Sequence, residues 1–363
     1  MSKKFIIAGG GTGGHIFPAI AIANALKRQD SGTEILFVGA KGKMEMDRVP
    51  LAGYKIIGLD IAGFNRSSLI RNWSLPMKLV KSFLQVRKIF SEFKPDGVVG
   101  VGGYSSFPVL RYAQVKGIPT FIHESNSFPG KSNILLGKKA TKVFVSTDGM
   151  DRFFPASKIS ITGNPVRPEI TETALIKKET ALKTFELKND VTTVLAIGGS
   201  LGARSINEAL HQHIDQFEKN NLQLIWQTGN SETAKWQMYD KKENMWVGPF
   251  ITEMQNAYAA ADIVVSRSGA MAVAELCIVK KAVVFVPYPF AAEDHQTANA
   301  KKLVDKEAAL MVTDKEAIDQ IVPMVVALAK DKALIEKLKN NISKEAILNA
   351  DAQIATEILK IVN

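Results

Sequence analysis

A chain of 363 residues with 46% hydrophobic and 23% charged residues has the profile of a folded protein large enough for two cores, which excludes a disordered chain. Its 46 Lys and Arg against 36 Asp and Glu leave a net charge of +10, which points to an anionic partner: nucleic acid, an acidic membrane or phosphorylated substrates. The single cysteine, Cys277, excludes an internal disulfide and a cysteine zinc cluster.

The opening MSKKFIIAGGG holds an apolar stretch too short for a signal peptide. No run nears the roughly 18–20 apolar residues of a membrane-spanning helix, and the richest, Ala282 to Ala292, is broken by Pro287 and Pro289. The expectation is a cytoplasmic chain, at most peripheral to a membrane. Strands are predicted at Lys4–Gly9, Glu34–Gly39, Asp96–Val101, Pro119–Glu124 and Lys142–Ser146, then at Thr193–Gly199, Leu222–Gly229, Asp262–Ser266 and Ala282–Pro287. Near-continuous apolar strands alternating with helical patterns imply a parallel sheet covered on both faces. FIIAGGGTGGH and VLAIGGSLGAR repeat one arrangement of strand, glycine loop and helix half a chain apart, so two α/β doubly wound domains with a cleft between them are expected. Gly163 to Pro168 is the natural hinge. This divides the chain into 1–163, 164–340 and a terminal helical segment, 341–363, that braces the domains.

Between Asp60 and Glu92 the chain carries Arg66, Arg71, Lys78, Lys81, Arg87 and Lys88 with no intervening acid. Leu79, Val80, Phe83, Val86 and Phe90 form an apolar stripe at helical spacing, preceded by Ile61, Phe64, Leu69, Ile70 and Trp73. The stripe is expected to pack on the sheet while the preceding loop dips into an anionic membrane surface.

Glycine loops carry the chemistry. Gly9, Gly11 and Gly14 fit the dinucleotide spacing GxGxxG, but the second strand ends Val38-Gly39-Ala40-Lys41 without the carboxylate that would hold a ribose, so a dehydrogenase is not expected. Gly130-Lys131-Ser132 lacks the first glycine of a P-loop. His15 follows the first loop, and its imidazole titrates in the range a general base needs; Glu124 is the alternative. Gly198–Gly202 and Ser266–Ala270 open two further helices, and Glu275 sits about a turn and a half into the second, within reach of a ligand at that loop. His123 reads as a structural strand end, and His211 and His213 lie on different helix faces, which disfavours a metal site.

The motifs GGTGGHIFPA (Gly10–Ala19), GGYSSFP (Gly102–Pro108), HESN (His123–Asn126), GNPVR (Gly163–Arg167), GGSLGAR (Gly198–Arg204), RSGAMAVAE (Arg267–Glu275) and DHQTANA (Asp294–Ala300) resemble, in order, those of the bacterial UDP-N-acetylglucosamine transferases of peptidoglycan synthesis that convert lipid I to lipid II. The resemblance implies the GT-B fold, with two Rossmann-like domains facing a deep cleft, acceptor in the first and donor in the second. It implies that Thr12, Gly13 and Gly14 approach the donor's sugar and diphosphate, that Asn126 binds N-acetylglucosamine, and that Arg167 and Ser200 lie at the diphosphate. Ile251 would offer its backbone to uracil, Glu275 would hold the ribose, Gln296 or its neighbour His295 the sugar, and Gly269, Ala270 and Met271 would supply a helix N-terminus. The family inverts the anomeric carbon, giving a β-1,4 bond. The chain has no Asp-x-Asp, so no metal and no cofactor is expected, the departing charge being met by helix N-termini and Arg167. The implied partners are UDP-N-acetylglucosamine, lipid I and an anionic membrane surface. An epimerase or glycolipid synthase of the same fold is the enzyme alternative; nucleic acid is not expected as a partner, because stacking platforms and recognition motifs are lacking.

Overall fold

The computed structural model describes residues 2–61, 73, 75–199, 201–230 and 233–362. The chain packs into two compact units, Met1–Val166 with Asn349–Asn363, and Arg167–Leu348. The expected terminal segment from 341 is therefore divided between the two units.

In the first unit the order is β1 (Lys4–Ala8), α1 (Gly13–Gln29), β2 (Glu34–Ala40), α2 (Glu45–Leu51), β3 (Lys55–Leu59), α3 (Leu75–Phe93), β4 (Gly97–Gly100), α4 (Ser106–Val115), β5 (Thr120–Glu124), α5 (Lys131–Gly137), β6 (Lys142–Val145) and β7 (Ile159–Ile161). Among the described residues these seven strands form one parallel sheet, ordered β3-β2-β1-β4-β5-β6-β7. Period-two alternation sends Phe5 and Ile7 to one face and Ile6 and Ala8 to the other, and both faces are buried in apolar clusters. α1 covers the first face through Ile16, Ile22 and Leu26; α4 covers the second through Val109 and Leu110.

The second unit runs α6 (Pro168–Thr171), α7 (Lys178–Thr184), β8 (Thr192–Ile197), α8 (Arg204–Gln212), α9 (Asp215–Lys219), β9 (Leu222–Gln227), α10 (Thr233–Trp236), β10 (Met245–Gly248), α11 (Met254–Ala260), β11 (Ile263–Ser266), α12 (Ala270–Val279), β12 (Ala282–Phe285), α13 (His295–Val304), β13 (Leu310–Met311), α14 (Ala317–Lys330) and α15 (Lys332–Ser343). Its described strands form a second parallel sheet, ordered β10-β9-β8-β11-β12-β13. The chain then returns to the first unit as α16 (Ala350–Val362), whose Ile354 and Ile358 are fully buried in the same cluster as Ile22 and Leu26 of α1. Two such side chains contribute about 1.5–3 kcal/mol each, enough to hold a terminal helix in place.

The nine strands predicted from apolar runs all form. The four that were not predicted, β3, β7, β10 and β13, are the four sheet edges. An edge strand is paired on one side only and need not be apolar throughout, and β3, β7 and β13 are partly exposed along their length.

The stripe predicted on α3 is corrected. Val86, Ile89 and Phe90 are buried against the sheet, but Leu79 and Val80 are exposed, with Met77 and Leu84, so the helix packs from Ser82 onward along one face. The basic and apolar residues between 62 and 72, Phe64 and Arg66 among them, lie outside the described residues. No described helix is long and apolar enough to cross a membrane.

Candidate active site

In each sheet the order reverses beside its first strand, between β1 and β4 and between β8 and β11. Loops leaving the carboxyl ends of such strand pairs run to opposite faces and form the binding crevice of a doubly wound sheet. The glycine motifs after β1, β4, β8 and β11 lie at these ends.

In the first unit, Gly9–Gly11 turns β1 into α1, with Thr12 in extended conformation as N-cap and Gly13 and Gly14 as the first helical residues. The Thr12 carbonyl accepts from the His15 and Ile16 amides, at 3.1 and 3.2 Å, which leaves the Gly13 and Gly14 amides ahead of the first helical bonds. A carboxylate lies beneath the loop. Glu45, at the start of α2 and 1% exposed, accepts the Gly11 N–H at 2.8 Å and the Ala40 N–H at 3.0 Å. Gly10 must be glycine, since its φ is +147° and a Cβ there would overlap the Glu45 carboxyl. The missing acid at the end of β2 is thus supplied by the next helix, but it is buried and bonds the loop itself rather than facing a ribose. The Gly11 amide is thus already engaged within the protein.

His15 lies on the first turn of α1. Its Nδ1 is 3.0 Å from the Gly10 carbonyl and 3.4 Å from Thr12 Oγ1. A carbonyl only accepts, so Nδ1 carries a proton, and Nε2 is the ring nitrogen at which a proton can be exchanged. Gly102, at φ +96°, packs against that side of the ring, where a Cβ would come within 2.8 Å of Nε2 and so displace the imidazole.

At the end of β5, His123 is fully buried, and burial pushes its imidazole down to about 4. Its Nε2 is 3.4 Å from the Gly163 carbonyl. Glu124 is also buried. Its Oε1 accepts from the Asn126 N–H (3.0 Å) and Nδ2 (3.2 Å), and its Oε2 accepts from the Gly130 N–H (3.2 Å) and Asn133 Nδ2 (2.8 Å). Four N–H donors occupy this carboxylate, an arrangement suited to bracing the loop that carries Asn126 rather than to accepting a proton.

In the second unit, Arg167 caps α6 and its guanidinium donates to Glu275 Oε1 at 3.3 Å. The phenol of Tyr258, from α11 and fully buried, donates to Glu275 Oε2 at 3.0 Å. Burial raises the Glu275 carboxyl above its ordinary range, ahead of the opposing effects of Arg167 and Tyr258. Two of the expected residues, Arg167 and Glu275, therefore meet, and Glu275 lies on α12, whose N-terminus is capped by Gly269 and begun by Ala270 and Met271.

Gln296 joins them. Its Oε1 accepts the Tyr288 N–H at 3.0 Å, and its Nε2 would lie 3.9 Å from a Cβ on Gly269. Glu293 and Asp294, before α13, both adopt left-handed φ of 53° and 51°, a strain of about 1 kcal/mol or more each. Ser268 donates to the Gln296 carbonyl at 2.8 Å. Of the pair His295 and Gln296, the structure sets Gln296 against the α12 N-terminus.

The Ile251 amide donates to Gln227 Oε1 at 2.9 Å, and Gln227 Nε2 donates to the Gly199 carbonyl at 3.0 Å. Gln227 is 2% exposed at the end of β9 and links the loops after β8 and β10. With its N–H so engaged, Ile251 can meet a base only through its carbonyl. Ser200 lies outside the described residues. Arg267 is bound to the Val286 and Pro287 carbonyls and to Asp314 at 2.6 Å, and acts as a staple below the loop.

Glu45, Tyr258 and Gln227 were not singled out in the sequence. Gln227 had one signal, a polar residue closing a largely apolar strand; Tyr258 and Glu45 had none.

The model of the glycosyltransferase family 28 N-terminal domain matches residues 5–145, and that of the family 28 C-terminal domain matches residues 193–357. The UDP-N-acetylglucosamine--N-acetylmuramyl-(pentapeptide) pyrophosphoryl-undecaprenol N-acetylglucosamine transferase of Parabacteroides distasonis is 49% identical, over 99% of this chain and 98% of its own. The protein of the same name from Phocaeicola vulgatus is 47% identical, over 99% and 96%. The crystal structure of Acinetobacter baumannii MurG is similar with a TM-score of 0.80 at 29% identity, covering 99% of this chain and all of that one. A UDP-GlcNAc 2-epimerase from Neisseria meningitidis, at 16% identity and a TM-score of 0.66 over 99% of this chain and all of that one, shares the fold.

Proposed function

The chain belongs to glycosyltransferase family 28, and we propose on that premise that it transfers N-acetylglucosamine from UDP-N-acetylglucosamine to the C4 hydroxyl of the N-acetylmuramyl group of lipid I, giving lipid II and UDP. The observation that carries this reading is the 49% identity to a transferase of that name along 99% of the chain, which includes every motif above.

The hydroxyl oxygen attacks the anomeric carbon as the bond from that carbon to the diphosphate breaks, its electrons leaving with UDP. The hydroxyl proton passes to His15 Nε2, the lone-pair nitrogen of the tautomer held by Gly10. Negative charge growing on the diphosphate is met by the first-turn amides of α12 and by Arg167, groups already in place before reaction. Glu275 takes the ribose hydroxyls, the Ile251 carbonyl takes uracil N3–H, and Gln296 takes the sugar. In the first unit Asn126 faces the acetamido sugar on a loop braced by Glu124, and Thr12, Gly13 and Gly14 set His15 in position.

The acceptor's lipid tail requires a surface that meets a bilayer. Trp73, 82% exposed, lies with Met77, Val80 and Leu84 beside Lys78 and Lys81. This cluster is the docking surface for anionic lipid, and it sets the enzyme on the cytoplasmic face of the membrane.

Purified protein given radiolabelled UDP-N-acetylglucosamine and lipid I is expected to move label into the lipid fraction, and His15→Ala to lower kcat by two orders of magnitude or more with UDP affinity kept. Label retained in the water-soluble fraction as an epimerised sugar would overturn the reading.

A further inference from the structure

The two hydrogen bonds that bracket the first glycine loop share one peptide group. The link between Gly10 and Gly11 offers its C=O to His15 Nδ1 at 3.0 Å and its N–H to Glu45 Oε2 at 2.8 Å. Carboxylate, amide and imidazole therefore form a single chain, with the peptide plane standing where a direct carboxylate–imidazole bond would otherwise be. Glu45 is 1% exposed, and its other oxygen takes the Ala40 N–H at 3.0 Å, so the carboxylate is pinned from β2 and cannot swing away. The backbone permits this only because a side chain at Gly10 would occupy the space of the carboxyl.

We propose that Glu45 is a positioning residue for His15, acting through the Gly10–Gly11 peptide group to hold the Nδ1-protonated tautomer and strengthen Nε2 as a proton acceptor. The inference rests on the reading of His15 as the base. Hydrogen bonds in series polarise one another: an anion on the N–H side makes the carbonyl a better acceptor, and a better acceptor at Nδ1 favours the imidazolium that forms when Nε2 takes a proton. In metal sites and triads the imidazole partner is a carboxylate or a carbonyl; here a carbonyl is charged by a carboxylate one bond further on.

The titratable neighbours do not compete for this role. His123, on β5, is held neutral down to about 4 by burial. The Tyr104 phenol, in the loop after β4, is raised by burial and by the Glu45 charge and stays protonated.

Glu45→Gln keeps the shape and removes the charge. The acid limb of kcat/KM is expected to move to lower pH by about half a unit or more, with kcat lowered, while His15→Ala abolishes the limb. An unmoved limb in Glu45→Gln beside an abolished one in His15→Ala overturns the role of Glu45 alone. A limb that survives His15→Ala overturns the base, and the titration of the His15 Cε1–H by NMR in wild type and Glu45→Gln then decides the coupling without turnover. Should Glu45→Gln fail to fold, the wild-type protein decides it: the Gly11 amide proton is expected to shift downfield with the midpoint of His15, and a Gly11 resonance indifferent to that titration overturns the proposal.

Discussion

Arg167 and Glu275 are 108 positions apart in sequence and 3.3 Å apart in the second unit, and the carboxylate between Arg167 and Tyr258 is itself 9% exposed. The guanidinium is held against Glu275 in the second turn of α12, and each carboxylate oxygen has one donor from the protein, Arg167 on Oε1 and Tyr258 on Oε2.

Glu275→Gln is expected to raise the KM for UDP-N-acetylglucosamine tenfold or more, about 1.4 kcal/mol or above, with kcat changed far less. Because the Glu275 carboxyl is raised in the folded state, its contribution to stability is complete below the unfolded carboxylate range and is lost as pH rises through the raised value. The variant should therefore melt no lower than wild type at pH 8, which calorimetry on the two proteins checks.

Gln227→Glu tests the link between the Gly199 loop and Ile251. An ionised carboxylate would face the Gly199 carbonyl, whereas a protonated one could still donate to it. UDP affinity by titration calorimetry is expected to fall about tenfold at pH 8 and to recover toward pH 5.5, because burial raises the new carboxyl. A pH-independent loss would show that the amide acts only by packing.

His123 should mark the acid stability of the first unit. Its folded value is depressed to about 4, so its stabilising contribution is whole above about 6.5 and is lost as pH falls toward 4, a change on the order of 3 kcal/mol. Wild type should lose denaturant resistance over that window. His123→Gln should show a flatter profile there, even if it is less stable throughout.

Met77→Ser, Val80→Ser and Leu84→Ser together should abolish pelleting with phosphatidylglycerol vesicles and leave the melting temperature unchanged, since all three side chains are exposed. Pelleting that survives in the triple variant would place the docking surface elsewhere.

Turnover is expected to persist in excess EDTA, because main-chain amides of α12 and the Arg167 guanidinium are the groups assigned to the leaving diphosphate. Activity lost in chelator and restored by magnesium or manganese would return the diphosphate to the carboxylates.

The amino-acid sequence alone determined the two doubly wound sheets, since a central strand buried on both faces must be apolar along its length, and β1, β4, β8 and β11 can be read as such. It also marked the loops, because a strand that stops at glycines and resumes as a helix has few other uses for them. It did not determine edge strands, whose single neighbour demands little of their side chains, nor that Met77, Leu79, Val80 and Leu84 of α3 face outward. What only the tertiary structure decided is which polar groups meet. Glu45 is an ordinary glutamate at the head of an ordinary helix until α2 folds back under the β1 loop and places it against Gly11. Glu124 is the alternative base by its position, and only the folded chain shows the four N–H donors that its carboxyl accepts. Hydrogen bonds are short-ranged and directional, so a role that depends on them is settled by packing between segments far apart in the chain, and no local pattern records it.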